Sequence, residues 1–269
     1  MWWFAALHAN LALLHARMAD RAAGRMLLDA GCGTGGLLAR LSTALPDGDA
    51  PKGGMPKGGM PKGGMPKGGM PSGDMPNGDM IGLDADPFAC ERARAKSGCR
   101  VCAGSVNALP FADGAFGAVI SADVLCHDGV DEQRALAQFH RVLCDRGILI
   151  LNLPAYDWLM SAHDRAVANV RRYTRRRVVR LLEGAGFRPL FASYWNAFLF
   201  PMMVLTRKLL PSGAEAASDV KLQSPAVEVL CRAATRLEHA WLGRLWRLPF
   251  GGSVIAVAAK QTRQGSVHA

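Results

Sequence analysis

Gly31, Gly33 and Gly35 stand at alternate positions directly after the apolar run Met26-Leu27-Leu28-Asp29-Ala30. They also open a segment with helical spacing of Leu37, Leu38, Leu41 and Leu45. Glycine permits the tight turn such a junction needs and lets backbone approach a ligand closely. The helix that follows offers unpaired N–H groups and a partial positive end, suited to a carboxylate. Asp29, at the end of the run, is placed to accept from an ammonium group. Asp84 ends the next apolar run, where a carboxylate takes both hydroxyls of a ribose. Gly31, Gly33 and Gly36 satisfy G-x-G-x-x-G as well, the fingerprint of dinucleotide binding. Spacing does not decide between these readings. A repeat of roughly thirty residues separates Gly36 from Asp84, and removing it restores the interval of about twenty that both require.

Other residues carry further chemistry. His127 follows the fourth apolar run, and an ordinary histidine titrates near neutrality, as a general base needs. Tyr156, His163 and Asp164 follow the fifth run and are candidates for an acceptor pocket. In Arg171-Arg172-Tyr173-Thr174-Arg175-Arg176-Arg177, Thr174 reads as a helix N-cap. Three arginines in a first turn oppose the helix dipole, so an anion site or anionic membrane surface involving Arg171, Arg172 and Tyr173 is one expectation. Arginines paired elsewhere are the other. Cys99-x-x-Cys102 has no second pair or adjacent His, so no metal site is expected.

The elements that must position these residues alternate. Strands are expected at Met26–Ala30, Met80–Leu83, Arg100–Ala103, Phe116–Ser121, Gly147–Leu153, Phe187–Tyr194 and Ser253–Ala259. Helices are expected at Gly35–Leu45, Pro87–Lys96, Asp131–Leu143 and Thr174–Ala185. That alternation predicts an α/β fold, a doubly wound, Rossmann-like, seven-stranded and mostly parallel sheet. A helical insertion, 196–248, precedes the last strand and is a candidate substrate cap. Within it Trp195–Leu210 is apolar but too short to span a bilayer and broken by Pro201; core packing, a lid or an interfacial helix each fit it.

The chain has 269 residues, is half apolar and carries a net charge of +10, consistent with one domain over 1–269 and with an acidic or phosphorylated partner, an anionic membrane surface, or only a host with basic proteins. No zinc spacing or nucleic-acid motif accompanies that charge, so no nucleic acid is expected. Pro51–Met80 repeats Pro-Lys-Gly-Gly-Met four times before decaying; it has little to bury and reads as a disordered insertion. The apolar N-terminus lacks a basic n-region and carries His8, Asn10 and His15, which argues against a secretory leader. With seven Cys at no framework spacing, this points to a cytoplasmic protein, with peripheral contact at an inner membrane face open.

Beyond the residue-by-residue reading, Leu27-Leu28-Asp29-Ala30-Gly31-Cys32-Gly33-Thr34-Gly35 resembles motif I of class I S-adenosylmethionine (SAM)-dependent methyltransferases. Ile81-Gly82-Leu83-Asp84-Ala85-Asp86-Pro87 resembles their second motif. Leu109-Pro110-Phe111-Ala112-Asp113-Gly114-Ala115-Phe116 and His140-Arg141-Val142-Leu143 resemble two later segments of the type 11 branch. Trp2-Trp3-Phe4, Pro154-Ala155-Tyr156, His163-Asp164 and Arg171-Arg172-Tyr173-Thr174 resemble a bacterial subgroup of that branch. The resemblance implies SAM as cofactor, bound by Asp29, Gly31, Gly33, Gly35 and Asp84. Ser105 and Val106 would flank the adenine, and residues 122–125, Asp123 included, would line the methionine side. It implies methyl transfer to a small-molecule or lipid-linked acceptor, anionic in one version. Three positions depart from the family pattern: Gly117 in place of Asp, Asp145-Arg146-Gly147 in place of Pro-Gly-Gly, and Ala168 in place of His. A catalytically impaired SAM-binding scaffold and an NAD-dependent enzyme are the alternatives. Oligomeric state is not legible.

Overall fold

All seven expected strands form in the computed structural model, which describes residues 2–18, 20, 25–44, 80–209 and 225–261. The repeat at 51–80, apart from Met80, lies outside the described residues. In chain order the strands are β1 (Met26–Ala30), β2 (Met80–Asp84), β3 (Arg100–Ala103), β4 (Phe116–Ala122), β5 (Leu143–Pro154), β6 (Phe187–Trp195) and β7 (Ser253–Lys260). They make one sheet in the order β3-β2-β1-β4-β5-β7-β6. Pairings among β1 to β5 are parallel, whereas β7 runs antiparallel to both β5 and β6. The order reverses beside β1, so connections leave its carboxyl end in opposite directions. That divergence opens a crevice for a ligand.

Apolar runs bury both sheet faces. Leu28, Val119, Leu149 and Ala256 point into one core, under α4 (Glu132–Val142) and α6 (Arg175–Gly184). Leu27, Ile120, Ile150 and Val257 point into the other, under α1 (Trp2–Arg17), α2 (Gly36–Ala44) and α3 (Pro87–Ser97). Helix starts follow capping chemistry. Asp86, Asp131 and Thr174 accept from backbone N–H groups at the heads of α3, α4 and α6. A short α5 (Ala162–Ala166) is closed by a capping box between Ser161 and Asp164. Between β6 and β7 lie α7 (Phe200–Leu209) and α8 (Pro225–Gly243).

Two elements differ from expectation. β5 begins at Leu143, not Gly147, because Leu143 pairs with Phe116 before the register shifts at Gly117. The N-terminal segment is a full helix, α1, whose Leu7, Leu11 and Leu14 are buried at helical spacing. Its Trp3 stacks on Trp195 with ring centroids 4.5 Å apart. No helix among the described residues is long and apolar enough to cross a membrane.

Candidate functional site

Between β1 and α2 the chain turns with all three glycines left-handed: Gly31 at φ +89°, Gly33 at +50° and Gly35 at +75°. Each has a different neighbour. A Cβ on Gly31 would lie 2.1 Å from Val124 Cγ2, and one on Gly35 2.7 Å from the Ala93 backbone of α3. A Cβ on Gly33 would meet nothing within 4 Å. Gly31 and Gly35 therefore seat the turn against protein, while Gly33 borders open space at the mouth of the crevice.

Asp84 anchors this turn from β2. Its Oδ2 accepts from the Gly33 N–H at 2.8 Å and its Oδ1 from the Asp86 N–H at 3.0 Å. The Gly31 and Cys32 N–H groups donate to the Leu83 carbonyl, and the Gly104 N–H to the Asp84 carbonyl. These bonds gather the ends of β1, β2 and β3 into one rim. On that rim Ser105 is exposed, its Oγ accepting from the Asn107 N–H, while Val106 is buried in the core.

Asp29 is buried, and its Oδ2 has no hydrogen-bond partner. Burial, with Asp84 nearby, pushes its carboxyl up to about 7. A buried acceptor left unsatisfied costs about 1–3 kcal/mol and calls for a missing donor. Among the described residues only Ser121 Oγ and Asn196 Oδ1 share that condition. A cationic donor at the end of β1 would satisfy that oxygen and favour the ionised carboxyl.

Asp123, after β4, takes a left-handed φ of +56°, a strained conformation that its neighbours enforce. Its N–H donates to the Asn152 carbonyl, and its Oδ1 accepts from Asn152 Nδ2 at 3.0 Å. Asn152 Oδ1 in turn accepts from Trp195 Nε1, and Trp195 carries Trp3 on its ring. Burial pushes the Asp123 carboxyl up to about 7, against its bond from Asn152. Asn152 and Trp195 were missed from sequence; the available signal was one amide inside the apolar run Ile148–Leu153.

His127 lies half-buried on the same loop, its N–H bonded to the Val124 carbonyl. Tyr156 follows β5 at φ +59° and stacks on Tyr194 and Trp158, with centroids 5.1 and 5.6 Å away. Phe200 of α7 joins Tyr156 and Phe250 in the same aromatic cluster.

The other expected acceptor residues are engaged in holding the loops. Arg172 and Asp164 form a buried ion pair at 2.7 Å, and Arg172 Nη1 also donates to the Ala155 carbonyl. The Tyr173 hydroxyl donates to the Leu125 carbonyl at 2.8 Å. Arg171 donates to the carbonyls of His127 and Val130 and faces Glu132. Arg177 reaches Glu132 and the Arg172 carbonyl while covering the Tyr173 ring. These side chains brace the loops after β4 and β5, and Arg171 and Arg172 are not held open for an anion. His163 is exposed on α5.

Two departures from the family pattern fall on strained backbone. Arg146 and Ala168 adopt φ of +64° and +56°, a region glycine occupies without penalty. No three-residue group of His, Cys, Asp or Glu able to hold a metal occurs among the described residues.

This strand order, with its crevice at the end of β1, defines a Rossmann-like fold. Of that fold are a TehB-like SAM-dependent methyltransferase from Corynebacterium glutamicum (17% identity over 94% of this chain and 88% of that one, TM-score 0.51) and a geranyl diphosphate C-methyltransferase from Streptomyces coelicolor (12%, 92% and 77%, TM-score 0.51). The [4+2]-cyclase SpnF shares it too (19%, 93% and 82%, TM-score 0.52). No curated protein sequence matches the chain. Residues 68–151 match the model of the methyltransferase domain family. That segment spans Asp84, Leu109–Phe111 and Arg141–Leu143; the glycine turn lies upstream, beyond the repeat. Over that segment the chain is similar to the methyltransferase domain family, and SAM-dependent methyltransferases are among the solved structures that share its fold.

Proposed function

We propose that the protein is a class I SAM-dependent methyltransferase, with S-adenosylmethionine as its cofactor, and that it methylates a small-molecule or lipid-linked acceptor delivered to the loop after β4. The unsatisfied, buried Oδ2 of Asp29 carries the reading of the cofactor side. It lies where an α-ammonium would meet it, beside a glycine turn whose Gly33 leaves room for a ligand. Asp84 has lone pairs remaining after its bonds to Gly33 and Asp86, and would take the ribose hydroxyls. Ser105 and Val106 would border the adenine, Val106 presenting its apolar side.

Bound SAM supplies an electrophilic methyl group on a sulfonium. The chain's task is to orient an acceptor in line with that methyl and exclude water. Asp123 and the half-buried His127 border the proposed acceptor position. An acceptor that must lose a proton would give it to His127 or to Asp123, whose carboxyl near 7 suits exchange at neutral pH. The aromatic cluster of Tyr156, Trp158, Phe200 and Phe250 offers an apolar wall for the acceptor's body. The neighbour described as acting on geranyl diphosphate lends weak support to a small-molecule acceptor. Phe198, Met202 and Leu205, exposed on and beside α7, support peripheral contact with a membrane.

The test is turnover of labelled SAM with a panel of soluble and lipid-extracted acceptors. Label transferred to a defined acceptor supports the reading. SAM bound without transfer to any of them favours the scaffold alternative.

A further inference from the structure

The basic segment that opens α6 divides into two sets. Arg171, Arg172 and Arg177 are consumed by carbonyls, by Asp164 and by Glu132, as described above. Arg175 and Arg176 stand in the same first turn, where a cation costs roughly 0.3–1 kcal/mol against the helix dipole. Their side chains have no ion-pair partner among the described residues. Arg180, one turn further along α6, and Arg247, just before β7, have none either.

All four residues border one cavity. With Leu190 and Phe191 of β6 among the residues of the floor, they line a cavity of about 630 Å³ on the outer edge of the sheet. Arg176, Arg180 and Arg247 are exposed, and Arg175 is half-buried. Arg247 is held there by its neighbour, since the Leu248 N–H donates to Ser193 Oγ at 2.8 Å and Leu248 bridges to Tyr194. Two segments almost seventy residues apart thus contribute arginines to the lining of one groove. Four cations bordering one cavity make it a favourable place for a ligand of opposite charge.

The shape of the groove narrows the ligand. The edge is unsuited to pairing with another strand, because Pro189 removes a donor and the β6 register shifts between Pro189 and Phe191. The volume is that of a small-molecule site. Guanidinium forks match phosphate oxygens two at a time, and a group carrying two or more negative charges matches four cations. We propose that this groove binds the phosphoryl group of a phosphate-bearing ligand. Binding there is separate from methyl transfer and does not depend on the acceptor reading above.

Calorimetric titration with inorganic pyrophosphate, at low and high salt, tests the site. Flotation with phosphatidylglycerol vesicles separates a lipid headgroup from a free phosphate as its source. Arg176→Gln/Arg180→Gln and Arg247→Gln remove exposed cations, and Arg134→Gln/Arg236→Gln removes the same charge elsewhere. Saturable pyrophosphate binding, weakened by about tenfold or more in Arg176→Gln/Arg180→Gln and less in Arg247→Gln, is expected. Thermal midpoints should stay unchanged, and binding should persist in the control. Vesicle recovery lost only in the groove variants supports the site with a headgroup as the source. Absence of both kinds of binding, or equal loss in the control, overturns the proposal.

Discussion

At the residue scale, the three glycines of the turn do different work, and substitution separates them. Gly35→Ala drives a methyl into the Ala93 backbone at a left-handed φ, so it should cost several kcal/mol (about 2–4) and lower the melting temperature visibly. Gly33→Ala meets open space and should cost only about 1–2 kcal/mol of backbone strain. Its loss should show in SAM affinity, since the methyl projects toward the ligand side. Calorimetry of both variants checks the contrast; equal affinity loss per unit of stability loss would contradict it.

Asp29 yields a pH prediction with a definite sign. Burial and Asp84 raise its folded carboxyl from 3.8 to about 7, so the free protein holds it protonated below that value. A ligand ammonium favours the carboxylate, so binding releases a proton at lower pH. SAM affinity should rise with pH from about 5 to about 7, by up to tenfold per unit, then level off. Asp29→Asn should flatten the profile. The same shift makes Asp29 a stability cost that grows as pH passes from about 4 to about 7, because the unfolded chain ionises first. A pH-independent affinity would remove Asp29 from the ammonium site.

At the scale of elements, the residues between β5 and α6 tie two loops to one framework. Arg172→Met removes the guanidinium that faces the buried Asp164 carboxylate, which should destabilise the protein by about 3–5 kcal/mol. The double variant Arg172→Met/Asp164→Asn should recover part of that, as chemical denaturation can measure. If Arg172→Met unfolds like the parent protein but loses acceptor turnover, the pair serves the substrate and not the frame. This segment also shows where sequence reading stops. Charged residues beside a strand end look like pocket residues, and only the fold reveals that Asp164 and Arg172 satisfy each other. The strands were legible because parallel strands buried on both faces are continuous apolar runs bounded by turn residues. The start of β5 was not, because Asp145 and Arg146 interrupt the run while the strand continues past a shifted register. The helical character of α1 was not legible because it is apolar nearly all round, and the place of Arg247 was not because nothing local links it to α6.

For the whole molecule, the sheet order explains how the chain accepts the repeat between α2 and β2. β1 and β2 pair directly, from Leu27 with Met80 to Ala30 with Leu83, and closing a longer connection costs only about 0.6 kcal/mol per doubling of its length. Deleting 51–75 should leave SAM affinity within about twofold and the melting temperature nearly unaltered. A folded deletion variant that no longer binds SAM would give the repeat a role in the site. The first part of the repeat also lies between the glycine turn and the segment that is similar to the methyltransferase family, although the fold returns the Gly33 N–H to 2.8 Å from Asp84.

That bond is the centre of the account, since it joins the turn to the carboxylate proposed for the ribose. Titrating the full chain and Asp84→Ala with SAM and with NADH tests it most directly. Saturable SAM binding by the parent protein, none of NADH, and loss of SAM binding in an Asp84→Ala protein that remains folded are expected. NADH binding by the parent, or unchanged SAM affinity in Asp84→Ala, would contradict it.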